Sequence, residues 1–295
     1  MQLTPSISAV YGLLFLSVFC LWLPGQTRVE GDRKRPWWPY PFLLAVLCGL
    51  VAGFVHVVAI PIMLALSAAV LGFTGKWGKW GQWLGGAAMV ILGLGLMAHL
   101  LPGFSNQKYI DGLKLTSGST PYSSYLNFDK TMMGLFFLAL THQRVSRVAD
   151  WKHIGVKLPL NLLIVLLIIM PVSLALGYVR FEPKLVSILP VWILVNLAST
   201  CMAEEMFFRG FVQKTLMTAW GKTRLGAFLA LLTASLAFGL LHYRGGPYYV
   251  LLSTLAGMGY GYAYHRTGKI ESAILTHFLL NFLHILLFTY PAAAT

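Results

Sequence analysis

Long apolar runs separated by short polar breaks dominate the chain, and within the runs polar and apolar residues do not alternate. The runs fall at 7–23, 42–53, 56–73, 83–101, 131–141, 158–178, 188–208, 225–242, 248–264 and 270–290. Many approach the ~20 residues a helix needs to cross a ~30 Å hydrocarbon core. A membrane barrel would need period-2 alternation along each strand instead. The pattern predicts an all-α fold, a polytopic transmembrane helical bundle of about ten spans.

Residues 42–73 are too long for one span and predict a helical hairpin turning near Gly53. The run 131–141 is short, so it is tilted, re-entrant or extended by residues 125–130. Residues 102–130, with scattered Gly, Ser, Asn and Pro and no periodicity, predict an exterior polar loop. That loop lies in an accessory N-terminal bundle, residues 1–150, and is followed by a C-terminal core, residues 151–295. The run 7–23 has no basic n-region and no small-residue cleavage site, so it is expected to stay as a first span.

Composition sharpens this. Of 295 residues, 57% are apolar or aromatic and 11% charged, with a mean hydropathy of +0.71. Soluble domains carry about 25% charge, so a soluble, fibrous or disordered chain is excluded. The net charge of +13 would suggest nucleic acid in a soluble protein. Here the cations sit in short breaks between apolar runs, so a lipid bilayer is the expected partner and nucleic acid is not. If 131–141 crosses, one side of the membrane holds 16 Lys and Arg and the other 6, the bias expected when basic loops stay cytoplasmic. Without that crossing the split is 9 to 13. Cys20, Cys48 and Cys201 lie inside apolar runs and read as small buried hydrophobes. A bacterial plasma membrane is the expected location.

Acids are scarce, so their positions are informative. Seven of the nine lie in loops or at span ends, within reach of water, whereas Glu204 and Glu205 are adjacent inside an apolar run. A charge at the bilayer centre costs about 2.5–3.5 kcal/mol on insertion scales. Arg209, four residues after Glu205, shares its helix face in the favourable acid-first order. Glu204 points about 100° away, continuing a polar stripe of Asn196 and Thr200.

Two later runs are also marked. Phe238-Gly-Leu-Leu-His242 ends one of them, and His277, Asn281 and His284 form a stripe on another. Glu204 and His242 flank a midpoint at residue 223, inside the turn signal 221–224, so an antiparallel hairpin brings them level. His277 lies nine residues past the 266–268 turn, too shallow by residue count to join them unless a helix is tilted or broken. Gly257-Met-Gly-Tyr-Gly261 is a small-xxx-small pattern expected to serve helix packing.

Together, Glu204-Glu205-Met-Phe-Phe-Arg209, Phe238-Gly-Leu-Leu-His242 and His277-Phe-Leu-Leu-Asn281 resemble the EExxxR, FxxxH and HxxxN series of the CPBP family. These proteins are also called Abi or type II CAAX prenyl endopeptidases, and the resemblance spans residues 188–290. It implies a four-helix catalytic core acting as an intramembrane endopeptidase on a membrane-associated or lipid-modified peptide. By that resemblance Glu204 and His242 activate a water, His277 and Asn281 form the oxyanion site, and Glu205 and Arg209 support the glutamate helix. Both metallo- and glutamate-type mechanisms have been described for the family. A zinc held by Glu204, His242 and His277 is therefore an alternative to metal-free water activation. The other readings weighed are a non-catalytic membrane scaffold or immunity protein of the same fold, and a proton-coupled transporter, against which no inverted repeat is found.

Overall fold

The computed structural model describes residues 3–23, 36–142 and 144–294. The basic cluster 28–35, which entered the count of loop charge, lies outside the described residues. The ten apolar runs correspond to ten helices among the described residues. They are α1 (Pro5–Trp22), α2 (Pro39–Ala52), α3 (Ala59–Lys76), α4 (Gly78–Met97) and α5 (Phe128–Thr141), then α6 (Val148–Ala175), α7 (Leu189–Trp220), α8 (Arg224–Leu241), α9 (Gly246–Thr267) and α10 (Ile270–Leu287). All but α2, α5 and α9, seven in total, are long and apolar enough to cross a membrane. The chain is an integral multi-pass membrane protein.

Surface burial agrees with a lipid environment. On α6 only 22% of the most apolar window is buried, and Val156, Leu160, Leu163 and Leu167 face outward. A protein in water would not leave such a face uncovered.

The chain divides into two compact units with interleaved segments. The first comprises Met1–Tyr109, Ser124–Ser146 and Ala198–Ala203. The expected turn at Gly53 is present: with φ 74° it caps α2 in the left-handed region that glycine tolerates. At 14 residues, α5 is about 21 Å long, short of the hydrocarbon thickness. Its residues from Phe128 to Leu138 are, apart from Lys130, all buried, so protein rather than lipid surrounds it. Phe42 meets Phe136 edge-on at 5.1 Å, and Thr131 Oγ1 donates to Ser199 Oγ at 2.7 Å. Gly134 lets α5 approach the 198–203 segment so closely that an added Cβ would fall 2.6 Å from Ala203 Cα.

The second unit comprises Ile110–Ser123, Arg147–Leu197 and Glu204–Thr295. Here α9 packs against α6, α7, α8 and α10. Its glycines make this possible: a Cβ on Gly259 would fall 2.3 Å from Val165 of α6. Thr223 caps α8 by accepting from Gly226 N at 3.0 Å, and Gly268, with φ 66°, ends α9.

The stretch 102–130 is more ordered than its composition suggests. It contains β1 (Gln107–Leu113) and β2 (Tyr122–Leu126), paired in a two-stranded sheet. Its tip is tied to the C-terminal tail, with Thr120 N donating to Ala292 O and Ala294 N to Gly118 O, at 3.0 and 2.9 Å. The segment after α6 joins the same tail: Glu182 N donates to Leu287 O, and Ala293 N to Tyr178 O. Pairing between segments far apart in sequence leaves no periodic trace, which is why the stretch read as loop.

Candidate active site

Helix α7 is not a uniform α-helix. A single α turn, Met202–Glu205, sits between two π stretches, Asn196–Cys201 and Met206–Gln213. Widened turns are rare and cluster at functional sites because tertiary contacts must compensate their poorer packing. Glu204 and Glu205 occupy the turn between them, 5% and 0% exposed.

The expected Glu205–Arg209 pair forms. Arg209 Nη1 donates to Glu205 Oε1, and Nε approaches Oε2, each at 3.2 Å. The guanidinium also donates from Nη2 to Gly257 O at 2.8 Å and lies over the Phe238, Tyr260 and Phe208 rings at 4.5, 5.4 and 5.9 Å. Such pairing offsets much of the cost of burying the two charges, although Arg209 Nε and Glu205 Oε2 face each other without a well-aligned hydrogen bond.

Glu205 is more than a structural partner of Arg209, because the same Oε1 accepts from His277 Nδ1 at 2.8 Å. The depth mismatch expected for His277 is thus absent: its Nε2 also comes within 4.0 Å of Glu204 Oε2. Residue counting misplaced it because π turns and a helix end break uniform rise. His242, at the end of its apolar run as expected, caps the C-terminus of α8, its Nδ1 donating to Phe238 O at 2.8 Å. Pairing about residue 223 is seen where Phe208 meets Phe238 edge-on at 5.2 Å. Phe238 in turn touches both imidazoles, at 4.8 Å from His242 and 5.8 Å from His277.

Asn281 donates to Asn196 Oδ1 at 3.4 Å, which joins the α7 stripe to the α10 stripe. His284 continues outward to Thr289 O at 3.1 Å and the Tyr290 ring at 5.0 Å. Glu204, Glu205, Arg209 and His277 thus form one connected cluster, while His242 reaches His277 through Phe238 and Asn281 extends the stripe.

Tyr260 was not singled out by sequence, yet its ring stacks on His277 at 4.4 Å and 12°. The sign was there, since it lies between Gly257 and Gly261 on a helix face with room for a partner. Two acids expected to lie within reach of water are instead buried: Asp129 is 1% and Glu271 3% exposed. Each stands in the first turn of its helix, where the dipole favours a carboxylate. Asp129 also takes His99 Nδ1 at 2.8 Å and Asn106 Nδ2 at 3.0 Å.

Among the described residues, no three His, Cys, Asp or Glu side chains converge as a metal-holding group. His242 Nδ1 donates to a carbonyl and His277 Nδ1 to Glu205, which fixes each ring through Nδ1, as is also usual for a histidine that binds a metal through Nε2. A family model described as type II CAAX prenyl endopeptidase Rce1-like matches residues 186–283. No curated protein and no solved structure matches the chain.

Proposed function

We propose that this protein, whose residues 186–283 match a family model described as type II CAAX prenyl endopeptidase Rce1-like, hydrolyses a peptide bond of a membrane-associated or lipid-modified substrate, with Glu204 as the general base. The observation that carries the reading is the buried pair of Glu204 Oε2 and His277 Nε2, 4.0 Å apart. That gap is too long for a direct hydrogen bond and suits an oxygen placed between them.

Hydrogen-bond partners set the tautomers. The Phe238 carbonyl can only accept, so His242 carries its proton on Nδ1 and presents Nε2 as an acceptor. An ionised Glu205 likewise places a proton on His277 Nδ1. In this reading Glu204, aided by His242, takes a proton from water as the oxygen attacks the scissile carbonyl. His277 enters as an imidazolium charged from solvent before attack and keeps both protons through the cycle, so that Glu205 balances its charge and Nε2–H donates to the developing oxyanion, joined by the Asn281 amide. Glu204 then returns the proton to the leaving amine. A general base contributes about 10²–10⁴-fold, and one oxyanion donor about 10²–10³-fold. Glu205 and Arg209 hold the carboxylate turn, and every proton in this scheme moves between the named side chains, water and substrate.

The test compares membrane-protein fragments in cells carrying wild-type protein or the Glu204→Gln variant. Fragments present with the first and missing with the second support the reading; identical fragment sets refute it.

A further inference from the structure

Gln213 lies two turns after Glu205 on α7, is 1% exposed and belongs to none of the three motifs. Its Nε2 donates to Gly261 O at 3.0 Å, just as Arg209 Nη2 donates to Gly257 O at 2.8 Å. Both bonds span 48 residues, so successive side chains on one face of α7 grip successive carbonyls on one face of α9. The two glycines make room for the grip. A Cβ on Gly257 would fall 2.8 Å from Arg209 Nη2, and one on Gly261 would fall 2.5 Å from Gln213 Oε1. The pattern expected to serve packing thus also exposes two carbonyls to two buried donors.

The grip spans the π stretch Met206–Gln213. If that stretch relaxed to an α-helix, a residue would leave the widened turn, and the part of α7 before it would rotate by about 100° relative to the part after it. The Glu204–Glu205 turn lies immediately before it.

We propose that Gln213 is a positioning residue: with Gly257 and Gly261 it latches the π stretch of α7 onto α9 and so sets the direction from which Glu205 meets His277. The functional consequence rests on the catalytic reading above, but the geometry does not. Among the described residues Gln213 Oε1 has no hydrogen-bond partner, so the amide acts here as a donor. An apolar side chain of similar length therefore removes the latch while keeping the volume.

The test uses the full-length protein in detergent with Gln213→Met, Gly261→Ala and the double variant. Ring-nitrogen NMR of labelled His277 is read beside kcat and KM. The expected result is a shift of the His277 signals in each single variant, with kcat about tenfold lower and KM unchanged, one hydrogen bond's worth of orientation. In the double variant the loss does not multiply, because both changes act on one contact. Should Gln213→Met fail to fold, Gly261→Ala decides, since it meets only the movable end of a side chain. Unmoved His277 signals in a folded variant overturn the proposal, as does a loss of thermal stability alone. Glu204→Gln is measured alongside: full cleavage by that variant refutes the catalytic reading, while the His277 signals still report on the latch.

Discussion

Removal of the Arg209 guanidinium tests how far the buried charges depend on one another. In Arg209→Met, Glu205 loses two contacts at 3.2 Å, and Gly257 O loses its donor at 2.8 Å. Removing one member of a buried ion pair costs about 3–5 kcal/mol, because the other charge stays desolvated. His277 still serves Glu205 Oε1, which puts the expectation near the lower end, about 3 kcal/mol. At roughly 2–4 °C per kcal/mol, the midpoint of thermal unfolding in detergent should fall by roughly 10 °C. The double variant Glu205→Gln/Arg209→Met removes both charges and should regain most of that stability, since an uncharged replacement of a buried pair is often neutral. It should not regain turnover, because the partner of His277 is no longer ionised. Arg209→Lys keeps the charge but loses the planar fork, so it should fall between the two. An Arg209→Met protein that melts with the wild type, or a double variant no more stable than the single one, would refute this description of the pair.

Two further outcomes are expected. Gly134→Val should destabilise the first unit by at least about 1–3 kcal/mol, since its Cβ meets the backbone of Ala203 rather than a movable side chain; unfolding midpoints check this. Chelation with 1,10-phenanthroline should leave peptide cleavage by the purified protein unchanged, and activity that vanishes and returns with added zinc would show that Glu204 and the histidines act on a metal instead.

Much of the architecture was legible because a bilayer leaves a chain little choice: backbone groups must be satisfied within helices, so apolar runs became helices. The Gly53 turn and the Glu205–Arg209 pair followed from local geometry and were found. The position of His277 was not, because counting residues assumes a uniform rise, and α7 contains two π stretches. Nor could periodicity find the short hairpin of β1 and β2, or the ties between residues 118–120 and the C-terminal tail, which depend on pairing over about 170 residues. Asp129 and Glu271 looked accessible since they head helices, but tertiary packing covers them. Tyr260 and Gln213 stayed unnoticed because an aromatic and an amide are ordinary in such helices until their partners are known.

The role of Glu204 as the base that activates water is tested most directly by the kcat of purified Glu204→Gln. The substrate is a lipid-modified peptide in reconstituted bilayers, and the variant is first shown to unfold at the wild-type temperature. The amide keeps the shape of the side chain but cannot accept the proton, so kcat should fall by about 10²–10⁴-fold with little change in KM. A folded Glu204→Gln protein that cleaves at the wild-type rate would contradict that role.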